Sequence, residues 1–156
     1  MKNLALIFFL ILPFLSLSQN VNLILQVNGK IIMPQFINVY FLINTEEGIK
    51  KIHEEYVPGD LKFNEETWTI IKSQPDKKIS LQIEYFTYKK GKQEIANFDL
   101  DVTKYLIDQK YLIADIYDFR DKSYKHKYQY ITDKNYLVQF YYRPENGVHG
   151  IYIPMK

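Results

Sequence analysis

The sequence predicts an all-β protein: an antiparallel β-sandwich of about eight strands with one short helix, laid out like an immunoglobulin or a prealbumin domain. Three observations carry that expectation. Apolar and polar residues alternate with period two from residue 21 towards the C-terminus, which is the pattern of half-buried strands. Clusters of Gly, Asn, Asp and Pro punctuate these runs at short intervals, as tight turns require. Tyrosine is abundant, with 14 in the chain and ten of them from Tyr105 to Tyr152; its ring suits a pleated surface while its hydroxyl reaches water or a partner.

The chain opens on a different chemistry. Lys2 is followed by an apolar run over residues 4–17, broken only by Pro13 and Ser16. Ser16 and Ser18 stand three and one positions before a cut ahead of Gln19, the layout of a secretory signal peptide. The run is shorter than the roughly 20 residues a membrane span needs. With no cysteine after it, lipid attachment at an N-terminal Cys is excluded. The expectation is a leader over residues 1–18 and one mature domain over residues 19–156, exported to a periplasm or outside the cell, with no stable membrane insertion after cleavage.

Each element follows in order. Val21, Leu23, Leu25 and Val27 share a face of a first strand that stops at Asn28-Gly29, a pair suited to the positive φ angles of a hairpin turn. A short apolar stretch over residues 30–33 ends at Pro34. Residues 37–43 are apolar on both faces and read as a central strand. Residues 49–57 fit helix or strand spacing, and their shortness and flanking Gly48 and Pro58-Gly59-Asp60 favour a strand. Residues 64–73 read as the helix: Asn64 caps it, Glu65 and Glu66 sit in its positive first turn, and Trp68 with Ile70 or Ile71 packs inward. The connection through residues 57–77 reads as a crossover between sheets. Strands follow at 78–88, 94–102, 111–119, 124–131, 136–143 and 148–154. Their turns fall at Lys89-Lys90-Gly91-Lys92, Asp121-Lys122, Asp133-Lys134-Asn135 and Pro144-Glu145-Asn146-Gly147. In the second of these strands Phe98, Leu100 and Val102 face inward and Asn97, Asp99 and Asp101 outward.

Composition removes several function classes. Zero cysteines exclude disulfides, zinc–thiolate and iron–sulfur sites, and thiol nucleophiles. Once Lys2 departs with the leader, 19 basic side chains face 18 acidic ones, without the basic excess that phosphate-backbone binding demands. Nucleic acid is therefore not an expected partner. The chain has no Asn-x-Ser/Thr triplet and no Gly-rich phosphate loop, and none of Ser73, Ser80 and Ser123 lies in a G-x-S-x-G elbow.

The remaining constellations are weak. His53-Glu54-Glu55 begins like a zinc-protease motif, but Val57 stands where the second His belongs, so these residues read as a charged solvent face. His53, His126 and His149 show no ligand spacing. Asn97, Asp99 and Asp101 lack the Gly and Glu of a calcium loop, since Val102 and Asp108 occupy those places. No metal or cofactor is expected. Tyr142-Arg143 is followed by Pro144, and the chain ends Ile153-Pro154-Met155-Lys156, so the Tyr-Arg-Gly-Ser ending of the purine-catabolic hydrolase with the prealbumin fold is absent.

The best binding candidate is the stretch 120–130. As a strand it would point Tyr124, His126, Tyr128 and Tyr130 one way and Lys125, Lys127 and Gln129 the other. Such a row can stack on sugar rings or bases and hydrogen-bond, although a lysine-guarded edge strand is the more ordinary explanation. Tyr141 and Tyr142 break the alternation, so one ring faces the core and the other solvent; Tyr141 beside Arg143 is a plausible interface anchor. The expected function is an exported, non-catalytic binding module for a protein, glycan or cell-envelope partner, using Tyr124, His126, Tyr128, Tyr130, Tyr141 and Arg143. The alternatives are a small-molecule carrier with a Tyr-lined barrel cavity and a small hydrolase whose carboxylates converge in the fold.

Overall fold

The computed structural model describes residues 20–46, 48–73, 78–143 and 150–153. The expected leader, the cut ahead of Gln19, the 144–147 turn and His149 lie outside them. Among the described residues the strands are β1 (Asn20–Val21), β2 (Leu23–Val27), β3 (Lys30–Ile31), β4 (Ile37–Thr45), β5 (Gly48–Val57), β6 (Asp60–Lys62), β7 (Ile79–Lys89), β8 (Lys92–Val102), β9 (Tyr111–Asp118), β10 (Tyr136–Arg143) and β11 (Gly150–Tyr152). The helices are α1 (Glu65–Ser73), α2 (Lys104–Ile107) and α3 (Lys122–Tyr128), and a 3-10 turn covers Pro34–Phe36. The protein is mostly β, as its alternation predicts. None of these helices is long and apolar enough to cross a membrane.

The strands form two sheets, ordered β1-β6-β5-β4-β7-β8 and β11-β10-β9-β2-β3. Their inward side chains meet in one core: Val39, Phe41, Leu81, Ile83, Phe98 and Leu100 from the first sheet, and Leu23, Leu25, Leu112, Ala114, Ile116 and Phe140 from the second. The faces assigned to residues 78–88 and 94–102 hold, with Phe98, Leu100 and Val102 buried and Asn97 and Asp99 exposed. Those polar residues form cross-strand pairs on the outer face: Gln82 Nε2 donates to Asp99 Oδ1 at 3.0 Å and Ser80 Oγ to Asp101 Oδ1 at 3.1 Å.

Turn chemistry sets the hairpins. Asn28 and Gly29 have φ of 54° and 74°, and Lys90 and Gly91 have 51° and 74°, the paired positive values of turns that match strand twist. Lys90 holds a left-handed conformation that an L-residue with a Cβ adopts at a cost. Replacing it by Gly is therefore expected to raise stability by up to about 1 kcal/mol, read as a higher denaturant midpoint; a lower midpoint would show that Lys90 makes a compensating interaction.

Several expectations are corrected. Residues 124–131 do not form a strand; Lys122–Tyr128 is helical. Residues 57–77 do not cross between sheets, because β5, β6 and β7 all belong to the first sheet. The chain changes sheets instead between β1 and β2, between β3 and β4, and through α2 between β8 and β9. The pairing is not wholly antiparallel: β2 runs parallel to β9, with Leu25 opposite Ala114. Strands so far apart in sequence are not bound to the hairpin geometry of neighbours. The single expected helix is present, with Asn64 Oδ1 accepting the Thr67 N–H at 2.9 Å and Ile71 buried, but α2 and α3 add to it.

Glu54 is the other correction. It shares the inward face of β5 with Ile52 and Tyr56 and is only 2% exposed, whereas His53 and Glu55 do face solvent. Its carboxylate accepts the Asn64 N–H at 2.8 Å and the Thr67 hydroxyl at 2.5 Å. It therefore ties the start of α1 to β5. Burial pushes its pKa above the ordinary 4.5, against the opposing pull of these two hydrogen bonds.

Candidate functional site

The helical turn at α3 begins with Asp121, whose carboxylate accepts the Ser123 N–H at 3.0 Å and the Ser123 hydroxyl at 2.6 Å. Those bonds hold its pKa below the usual carboxylate value. Lys125, His126 and Lys127 occupy the last turn, where positive charge suits the helix dipole. Tyr124 and Tyr128 stand four residues apart, so helix and strand spacing both put them on one face. They share no row with His126 and Tyr130.

The face they form lies on the outer side of the second sheet. Tyr117 of β9 is buried beneath it, with ring centroids 5.3 Å from Tyr124 and 4.6 Å from Tyr128. Its hydroxyl lies 3.3 Å from that of Tyr141. Burial first, then the hydrogen bond to Tyr141 and the nearby Asp115, push the Tyr117 pKa up strongly, so the phenol remains neutral. Phe119 and Leu137 complete this second, smaller cluster. The structure thus brings Tyr124, Tyr128 and Tyr141 together around Tyr117. His126 is exposed on α3, Tyr130 is 86% exposed beyond it, and Arg143 is exposed at the end of β10. The tyrosines that meet are largely a packing unit that fastens α3 to the sheet.

Fastening α3 has a consequence on its other side. Lys125 reaches an open cleft of about 480 Å³ at the corner between the sheets. One wall is β8 from Ile95 to Asp99; the opposite wall is Phe119, Arg120 and Lys125, with Lys134, Asn135 and Tyr136 closing it. Sequence reasoning saw Asp133-Lys134-Asn135 only as a turn and missed this wall. The charge of residues 120–134 was visible, but its position opposite β8 depends on strand order.

The cleft is held by specific contacts. Tyr136 Oη accepts the Asp99 N–H at 2.7 Å and donates to the Asp99 carbonyl at 3.1 Å. Lys134 Nζ lies 5.2 Å from the centre of the Tyr136 ring and 3.4 Å from the same carbonyl. Asp118 is buried and accepts Arg120 Nε at 2.7 Å and the Arg120 N–H at 2.9 Å. Asn28 Oδ1 in turn accepts the Asp118 N–H at 2.9 Å. Arg120 is thus anchored through one carboxylate; with Lys125 and Lys134 it sets three cationic groups against the two carboxylates of Asp99 and Asp118 in the cleft lining.

These groups are suited to binding: two ammoniums, an anchored guanidinium, the Asp99 carboxylate, amides from Asn97 and Asn135, and exposed apolar surface from Ile95. Among the described residues, no three His, Asp or Glu side chains converge as a metal site. Compared with protein-family models, with curated proteins and with solved structures, the chain matches none.

Proposed function

We propose that this protein is an exported binding module, a β-sandwich of immunoglobulin-like or prealbumin-like layout, that holds its partner in the cleft beside β8. The observation that carries this reading is the open cleft, in which an end strand faces two ammonium groups across apolar and amide-bearing surface. A leader-like N-terminus supports export, and a mature chain without cysteine needs no oxidative folding there. The carrier alternative draws less support, because the inward side chains of the two sheets pack together as one cluster. The hydrolase alternative has its three buried carboxylates apart in role: Glu54 holds α1, Asp115 accepts the Gly29 N–H, and Asp118 holds Arg120.

The test is retention of an envelope or glycan fraction on immobilised protein starting at Gln19. The parent is expected to retain a partner that a Lys125→Glu/Lys134→Glu variant loses. Tyr130→Ala should retain the partner, since that ring lies outside the cleft. Tyr124→Ala/Tyr128→Ala should lower the melting temperature, because both rings pack on Tyr117. Loss of the partner with Tyr130→Ala but not with the cleft variant would move the binding face away from β8.

A further inference from the structure

The backbone of β8 carries the proposed reading further. β8 is the last strand of its sheet, paired on one side with β7 over all eleven residues. In an antiparallel pair, the N–H and C=O of one residue point to the same side and successive residues alternate sides. The Tyr136 hydroxyl bonds both groups of Asp99, which fixes the side: Asp99 points away from β7. Gln93, Ile95 and Asn97 therefore present their N–H and C=O groups outward as well, along the wall of the cleft. Ile95 and Asn97 line that cleft, and the Ile95 side chain is 56% exposed. Among the described residues no other strand pairs with this row, and a row of this kind is a template for another strand.

The surroundings select the occupant. Lys89, Lys90 and Lys92 surround the turn at one end of the row and are exposed. Lys125 and Lys134, with Arg120, stand beside the other end. Asp99 and Asp101 of β8 accept bonds from the neutral side chains of Gln82 and Ser80 and keep their charge. With Glu94 and Asp118, however, they are four carboxylates against the six cations Lys89, Lys90, Lys92, Arg120, Lys125 and Lys134. Tyr136 occupies the rung at Asp99, so an added strand aligns with Gln93 to Asn97, a length of about 17 Å. We infer that β8 takes up an extended peptide with acidic side chains as an added strand, its backbone bonded to Gln93, Ile95 and Asn97 and its carboxylates directed to the flanking lysines. This rests on the cleft being the binding site and names the class of its partner.

The probe is an acetylated nonapeptide alternating Glu with Val, with two controls: its Lys–Val counterpart and a version N-methylated at alternate residues. Binding is followed by fluorescence anisotropy and by amide hydrogen exchange of the intact mature protein. The Glu–Val peptide should bind saturably and slow exchange at Ile95 and Asn97, while Ala96 and Phe98, bonded to β7, are already slow without it. N-methylation and Lys125→Glu/Lys134→Glu should each weaken binding at least about tenfold, a loss of roughly 1.4 kcal/mol. Added salt should weaken it too, since the lysines are exposed. The inference is overturned if the peptide leaves Ile95 and Asn97 unprotected, or if the Lys–Val peptide binds equally well. It is also overturned if protection rises with protein concentration alone, which would mean that two copies pair through β8. If the peptide fails while the parent still retains an envelope or glycan fraction that the Lys125→Glu/Lys134→Glu variant loses, the binding module stands and only the peptide assignment falls. If nothing is retained either, both fall.

Discussion

Phe140→Ala is expected to destabilise the protein by about 3–5 kcal/mol, the range for removing a large aromatic side chain from a packed interior. Phe140 is 0% exposed, lies opposite Ala114 on β9, and stacks on Tyr152 of β11 at 6.2 Å. It belongs to the core built jointly by both sheets, so its loss leaves a void that neither sheet alone can close. Ile83→Ala and Leu100→Ala, on the opposing sheet, should each cost about 2–5 kcal/mol for the same reason. Denaturant unfolding monitored by tyrosine fluorescence and far-ultraviolet circular dichroism would measure all three. Coincident transitions with lowered midpoints are expected. A cost below about 1 kcal/mol for Phe140→Ala would mean that the sheets do not share this core, and a second transition would mean that they unfold separately.

What was legible in the sequence and what was not divide along a physical line. Period-two burial at Ile79, Leu81 and Ile83 and at Phe98, Leu100 and Val102 is a local property, and the sequence pattern assigns both to the faces that are buried. The Asn28-Gly29 and Lys90-Gly91 turns likewise depend on two residues each. Tyr141 and Tyr142 divided between the outer and inner faces as consecutive strand residues must. The segment Lys122–Tyr128 failed because Tyr124, His126 and Tyr128 satisfy period two while Tyr124 and Tyr128 also satisfy a helical turn. The Asp121 cap is the available signal, but Asp121-Lys122 fits a turn as well.

The candidate site was less legible. The parallel pairing of β2 with β9 brings together strands separated by most of the domain, and no local pattern encodes it. Without strand order, Arg120, Lys125 and Lys134 are only charges near tyrosines. With it, they stand across from an end strand whose outward amides are fixed by Tyr136. The same argument separates the expected site residues. Tyr124, Tyr128 and Tyr141, expected on a binding face, meet in a cluster around Tyr117, which has no local distinction from other strand residues.

Glu54→Ala is expected to cost about 1–3 kcal/mol, since it strands one buried donor, the Thr67 hydroxyl, and takes the carboxylate partner from the part-buried Asn64 N–H. Glu54→Gln should be far milder. The amide oxygen can still accept from Asn64 while its nitrogen donates to the Thr67 hydroxyl, so both contacts are kept without a buried charge and only the Thr67 O–H loses its acceptor. Comparing parent with Glu54→Gln across pH isolates ionisation from hydrogen bonding. Burial raises the folded-state pKa of Glu54 above its ordinary 4.5, so folding favours the protonated form. That contribution is fully present below pH 4.5 and is lost as pH rises through the folded value. The stability of the parent relative to Glu54→Gln should therefore fall with rising pH across that window and level off above it. A difference that instead grows with pH would place the folded pKa below 4.5, making the two hydrogen bonds stronger than the burial cost. Glu54 would then hold α1 as a favourable anion, and neutral pH, rather than acid, would be where this joint between β5 and α1 is tightest.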